Sequence, residues 1–331
     1  MERNVTIAHL LRPAVLAMSA VLMGCMPAGQ AAMQTGQAAA HRPADGALAL
    51  VPDSPGSGPY PAMRDVMTDL PDHILYRPRD LGKVADRQLG VVLWGNGGCS
   101  ADAASARFHL LEIASYGYVV IAPGKAYSGP GALPAPPRAA PPREGAFPPV
   151  ATKPADLLAG LDWILAENKR AASPFYGLVD PKKVAVAGHS CGGLQAISVS
   201  ADPRIATTIV HNSGVLDPSA FNPITGFSVA KEELGRIHSP LLYILGGKSD
   251  IAYPNGMDDF QRIDQVPVAV ASLDVGHGGT FREPNGGRVA RIAVQWLEWQ
   301  LRGDQAASRW FIGKNCGLCQ DSDWTYQSKG L

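Results

Sequence analysis

The stretch Val184–Ala196, VAVAGHSCGGLQA, constrains this chain more than any other. A run of small, β-favouring residues ends in Gly188-His189-Ser190-Cys191-Gly192-Gly193 and passes at once into a helical pattern. Gly-x-Ser-x-Gly between a strand and a helix forces the serine into strained backbone angles at the apex of a sharp turn. The flanking glycines let strand and helix pass closely, and the hydroxyl projects above the sheet edge. The N–H of the next residue, Cys191, faces the same space. These are the requirements of a nucleophile, so Ser190 is the first candidate catalytic residue.

The rest of the chain supplies a matching scaffold. Strand-like runs at 73–77, 89–94, 118–122, 183–188, 206–211, 241–246 and 266–274 alternate with helical patterns at 103–116, 154–170, 191–200, 253–263 and 287–301. Continuous apolar strands separated by helices predict an α/β fold with a mostly parallel, doubly wound sheet and helices on both faces. The segment 128–149, SGPGALPAPPRAAPPREGAFPP, breaks this rhythm and suits neither a central strand nor a helix interior. It follows a strand's carboxyl end, where binding loops sit in open α/β sheets. It reads either as a plain surface excursion or as a stiff rim beside the site.

A serine hydroxyl needs a base, and the base needs an orienting acid. On a strand–turn–helix nucleophile the order is Ser, acid, His. The run 241–246 is followed by Gly247-Lys248-Ser249-Asp250, and the run 266–274 by Val275-Gly276-His277. Asp250 and His277 therefore sit on loops at the same sheet edge as Ser190. Asp217 is the alternative acid, while Asp274 reads as a strand end. His189 reads as a buried structural histidine, His211 ends a strand at the wrong place in the order, and His109 and His238 read as ordinary helix or loop residues. A donor pair for a developing oxyanion is expected from the Cys191 N–H and from Asn96 or Gly97 in the glycine-rich loop Gly95-Asn96-Gly97-Gly98-Cys99. Trp94 and Tyr127, near strand carboxyl ends, are candidate substrate contacts.

The N-terminus reads as a targeting segment. Arg3 and Arg12 precede an apolar run from Pro13 to Met23, too short to span a bilayer and of signal-peptide length. Leu22-Met23-Gly24-Cys25 is similar to a lipobox, which would make residues 1–25 a signal peptide and Cys25 a lipidated membrane anchor. Ordinary cleavage near 28–32 would instead give a soluble periplasmic or secreted protein. Residues 26–60 read as a disordered tether, 61–302 as the catalytic domain and 303–331 as a C-terminal extension. With 29 basic and 29 acidic residues the chain carries no electrostatic footprint for nucleic acid.

The segments VVLWGNGGCSADAASARFHLLEIASYGYVVIAPG, DPKKVAVAGHSCGG, LLYILGGKSDIAYP and DVGHGGTF together resemble the α/β-hydrolase superfamily over residues 72–302. Within it the chain is similar to the dienelactone-hydrolase and cutinase-like polyester-hydrolase branch. The resemblance implies a compact core with a minimal lid, ester hydrolysis through an acyl-enzyme, a small-molecule or polymeric ester substrate, and no cofactor. Where cutinase-like polyesterases carry an aromatic residue and a methionine, this chain has Asn96 and Cys191. The rival activities are peptide or amide cleavage by the same triad, polyester depolymerisation and, without chemistry, a binding lipoprotein. The implied fold brings Cys99 near Cys191, either as a disulfide stapling both oxyanion donors or as two buried thiols. Cys316 and Cys319 are close enough in sequence to bridge each other. A lone Cys-x-x-Cys lacks the further ligands zinc requires, and no metal site is expected.

Overall fold

Strands rich in Val, Ile and Leu can be buried on both faces only if helices cover both, and that is how the chain is built. The computed structural model describes residues 51–84, 88–137 and 139–331. The expected signal peptide over 1–25, the candidate lipidation site Cys25 and the expected tether up to residue 50 lie outside the described residues. Nine strands form one sheet: β1 (Ala62–Asp65), β2 (His73–Pro78), β3 (Leu89–Gly95), β4 (Tyr118–Pro123), β5 (Val179–His189), β6 (Thr207–His211), β7 (Leu241–Leu245), β8 (Val268–Leu273) and β9 (Trp324–Lys329). Their order is β1-β2-β4-β3-β5-β6-β7-β8-β9. The six strands β3 to β8 run parallel, while β1, β2 and β9 are antiparallel.

Side chains alternate between the two faces, as a two-residue period demands. Val92, Trp94, Val120, Ala185, Ala187, Ile209 and Ile244 face α1 (Arg107–Ala114) and α5 (Gly287–Arg302). Val91, Leu93, Val119, Val184 and Val186 face α2 (Pro154–Glu167) and α3 (Cys191–Val199). Val210, Leu241, Tyr243 and Val268 share that second face with Phe260 of α4 (Tyr253–Arg262). The expected architecture of a mostly parallel sheet wound on both sides is present. Because the parallel strands point the same way, the turns after β3, β5, β7 and β8 all open at one edge.

One segment differs from expectation, and two others acquire definite partners. Residues 51–60, assigned to a disordered tether, are instead pinned along α1. Asp53 pairs with both Arg64 and Arg107 at 3.0 Å, Ser57 N–H donates to Glu112 at 2.7 Å, and Tyr60 N–H donates to the Ser115 carbonyl at 3.0 Å. Burial of these polar partners outweighs the low apolar content that suggested a tether. The C-terminal extension is part of the sheet. After two short helices, α6 (Gln305–Ser308) and α7 (Gly317–Gln320), β9 pairs along the whole of β8. Phe311 stacks on Trp299 and meets Trp296 edge-on, welding the segment to α5. Among its described residues the proline-rich segment has no regular structure, and it is clasped to the loop after β6. Phe147 N–H donates to Pro223 at 2.7 Å, Thr225 Oγ1 donates to Phe147, and the Arg143 guanidinium lies over the Phe221 ring. Just beyond it, the N–H groups of Ala151 and Thr152 both donate to the Cys99 carbonyl.

Candidate active site

The turn between β5 and α3 sets Ser190 at φ 54°, ψ −123°, a conformation disfavoured for any residue with a side chain. It persists because its surroundings leave no alternative. The Ser190 N–H donates to the His211 carbonyl at 3.0 Å, and the Ser190 carbonyl accepts from Gly193 N–H at 2.8 Å and Ser213 Oγ at 2.7 Å. The glycines on either side are sterically required. A Cβ on Gly188 would lie 2.1 Å from the Gly192 carbonyl oxygen, and one on Gly192 would lie 2.1 Å from Gly95.

Three loops converge on this turn. His277 Nε2 lies 2.9 Å from Ser190 Oγ, and His277 Nδ1 lies 2.6 Å from Asp250 Oδ1. With a carboxylate at Nδ1, that nitrogen carries the proton and Nε2 is left to accept the serine hydroxyl's. Asp250 is fully buried and His277 about one-third exposed, so the acid is shielded while the imidazole faces solvent. Burial alone would raise the Asp250 pKa. The hydrogen bond from His277 and the N–H groups of Ala252 and Gly246 outweigh it and hold the carboxyl below its ordinary value. The alternative acid, Asp217, is exposed and bonded to Ser219 of its own loop. Asp274 accepts from Ser249 Oγ at 2.9 Å and so braces the Asp250 loop.

The His277 loop is fixed from below. His189 Nε2 lies 2.8 Å from the His277 carbonyl, which requires that nitrogen to be the donor. Burial lowers the His189 pKa to about 4, so the ring is neutral with a lone pair on Nδ1. That Nδ1 faces Gly97, where a Cβ would come within 2.5 Å of it. Asn212 Nδ2 donates to the Gly276 carbonyl at 2.9 Å. Sequence reasoning placed His189 as structural and overlooked Asn212. The only sequence signal for either is its position at a strand end beside the nucleophile turn.

The glycine-rich loop after β3 makes one tight turn, Gly97–Cys99, and a disulfide joins Cys99 to Cys191. Cys316 and Cys319 form the second disulfide. Cys191 is the first residue of α3 and Gly97 the first of its turn, positions whose N–H groups have no acceptor within the helix. The Asn96 side chain turns away, donating to Ser100 at 2.9 Å and Pro123 at 2.7 Å. Trp94 is not a surface for substrate. It is 1% exposed, packed between His109, His211 and Phe281, because the strand's alternation sends it beneath α1 and α5. Tyr127 is half-buried in the loop after β4, and its N–H donates to Asp102. His109 and His211 are core residues with rings 4.9 Å apart, and His238 lies at the surface against the Asp202 carbonyl.

Among the described residues, no group of three or more His, Cys, Asp or Glu side chains is arranged to hold a metal ion. Among them, too, no helix is long and apolar enough to cross a membrane. The two disulfides suit an oxidising, extracellular or periplasmic environment. No protein-family model matches this chain, and no curated protein is significantly similar to it.

Proposed function

We propose that this chain is an exported serine hydrolase of the α/β-hydrolase fold that cleaves carboxylic esters through an acyl-enzyme. The observation that carries the reading is the unbroken line Asp250–His277–Ser190, at 2.6 and 2.9 Å, on a strained serine at the carboxyl edge of a parallel sheet. In the forward half-reaction Ser190 Oγ attacks the ester carbonyl and gives its proton to His277 Nε2. Asp250 holds the ring and stabilises its cationic form. The carbonyl oxygen, now negative, is received by the N–H of Cys191 and by that of Asn96 or Gly97 after β3. Collapse of the tetrahedral species expels the alcohol, which takes the proton from Nε2. Water then enters, gives a proton to His277 and attacks the acyl carbonyl. The second collapse returns the proton to Ser190 and frees the acid.

Exposed apolar side chains at Phe147, Phe221 and Ile251 stand on loops of the clasp and of the acid turn. They favour an ester with an apolar flank. The same triad serves amide cleavage, so an aryl ester and an aminoacyl arylamide assayed side by side separate the two activities. Ser190→Ala is expected to abolish p-nitrophenyl butyrate turnover, a loss on the order of 10⁶ in kcat, while the thermal transition is retained. A fluorophosphonate probe should label the wild-type chain and not the variant. Undiminished turnover by Ser190→Ala would refute the assignment.

A further inference from the structure

The loop that offers the Asn96 or Gly97 N–H holds itself by only two backbone bonds, Cys99 N–H to the Asn96 carbonyl at 3.0 Å and Ser100 N–H to the Gly97 carbonyl at 3.3 Å. Between Asn96 and Cys99 it consists of two glycines, and at Gly98 (φ +64°) a Cβ would meet no atom within 4 Å. Beyond those two bonds, the orientation of the Gly97 peptide depends on the loop's ends and on the His189 ring beneath it. At one end the Asn96 side chain is bonded to Ser100 and Pro123. At the other, Cys99 sits at φ 45°, a backbone state that residues with side chains rarely adopt. There its carbonyl accepts from Ala151 and Thr152, and its sulfur is bonded to the residue that follows the nucleophile. Both cysteines are buried, 0% and 2% exposed. The bond thus links the two segments that carry the two proposed oxyanion donors, across 92 residues of sequence.

We infer that the Cys99–Cys191 disulfide is a positioning element of the oxyanion hole, and that this chain turns over ester at full rate only when the bond is closed. The inference rests on the proposed reaction. It adds that the bond acts on the transition state rather than on substrate binding. A donor aimed at the developing oxyanion contributes a factor of about 10²–10³ in kcat, and a small displacement forfeits part of it. Nucleophile and base are held separately, through His211, Ser213, His189 and Asn212, so they stay in place when the bond opens.

The test uses the Cys99→Ala/Cys191→Ala double variant with an aryl acetate. The expected result is a fall in kcat of at least about tenfold, with KM within a factor of about three. The Ki of an arylboronic acid, whose adduct with Ser190 Oγ mimics the tetrahedral intermediate, should rise in parallel with the loss of kcat. A bond that merely stabilises the fold would lower the melting temperature and leave kcat and Ki per folded molecule unchanged, and that result overturns the inference. If the double variant does not fold, Cys316→Ser/Cys319→Ser replaces it, so that only the bond in question can open. Dithiothreitol then reduces that bond to two thiols as the reagent closes to its cyclic disulfide. Activity and boronate affinity should fall on reduction and return on reoxidation. Full kcat with both thiols shown free by mass spectrometry sinks the proposal. An oxidised wild-type chain inert toward every ester would instead sink the proposed function.

Discussion

Two histidines, His109 and His211, are fully buried, and a third, His189, is half-buried beneath the His277 loop. The fold keeps all three uncharged, and this makes its stability steeply sensitive to mild acid. Burial lowers His109 to about 3, His189 to about 4 and His211 well below the ordinary histidine value. In the unfolded chain all three titrate near 6.5. As pH falls below that point the unfolded state takes up three protons that the folded state refuses, so unfolding becomes progressively easier. At about 1.4 kcal/mol per pH unit and per proton, each histidine costs about 2 kcal/mol by pH 5, or about 6 kcal/mol together. Asp259 works the other way. Burial pushes its pKa up to about 6 despite Lys231, the Val215 N–H and the Tyr243 hydroxyl. It binds a proton in the fold before the unfolded chain does and returns about 1.4 kcal/mol at pH 5. Carboxylates held below their ordinary range, Asp250 and Asp202 among them, enter only below about pH 4. The net loss between pH 7.5 and 5 is therefore about 5 kcal/mol, a third or more of the stability of an ordinary domain. Urea titrations at intervals across that range measure it directly. His211→Leu should flatten the dependence by about 2 kcal/mol, one proton's share. Stability constant within about 1 kcal/mol from pH 7.5 to 5, or a slope unchanged in His211→Leu, would refute the reasoning.

Two other outcomes follow from the same contacts. Gly97→Ala puts a methyl group 2.5 Å from His189 Nδ1, so the oxyanion loop must shift; kcat should fall by at least about tenfold, read in an ester assay against a melting temperature that moves little. Cys316→Ser/Cys319→Ser opens only a very short loop and should cost about 2 kcal/mol in a denaturant titration with activity retained, whereas losing the bond across 92 residues costs about 4–5 kcal/mol.

What could be read from the sequence divides along physical lines. The central strands and the three candidate residues were legible because both faces of β3 to β8 are buried and because the triad loops follow strands in a fixed order. The outer strands were not. β1 is four residues, AMRD, with one buried side chain, and β9 alternates only weakly through WTYQSK. Edge strands need satisfy only one neighbour, so their patterns carry little signal. Trp94 was misread from its place at a strand end, although the period of two already sets it on the face of Val92. His109 and His211 gave no warning that they belong to the core, since a histidine in an apolar run looks the same whether its ring is buried neutral or turned outward. The packed state of 51–60 depends on pairings with Arg64, Arg107, Glu112 and Ser115, which no local pattern announces.

The strand that carries His277 at its carboxyl end, β8, is also the strand that β9 seals. Until Trp324–Lys329 has emerged and docked, β8 presents a bare row of amide and carbonyl groups, sticky toward any other extended chain. The base loop then hangs from an unfinished border. On the proposed reaction, the His277 imidazole is firmly placed only once β9 has docked on β8. Variants that lack β9 should therefore yield aggregates, because β8 is left as a bare edge.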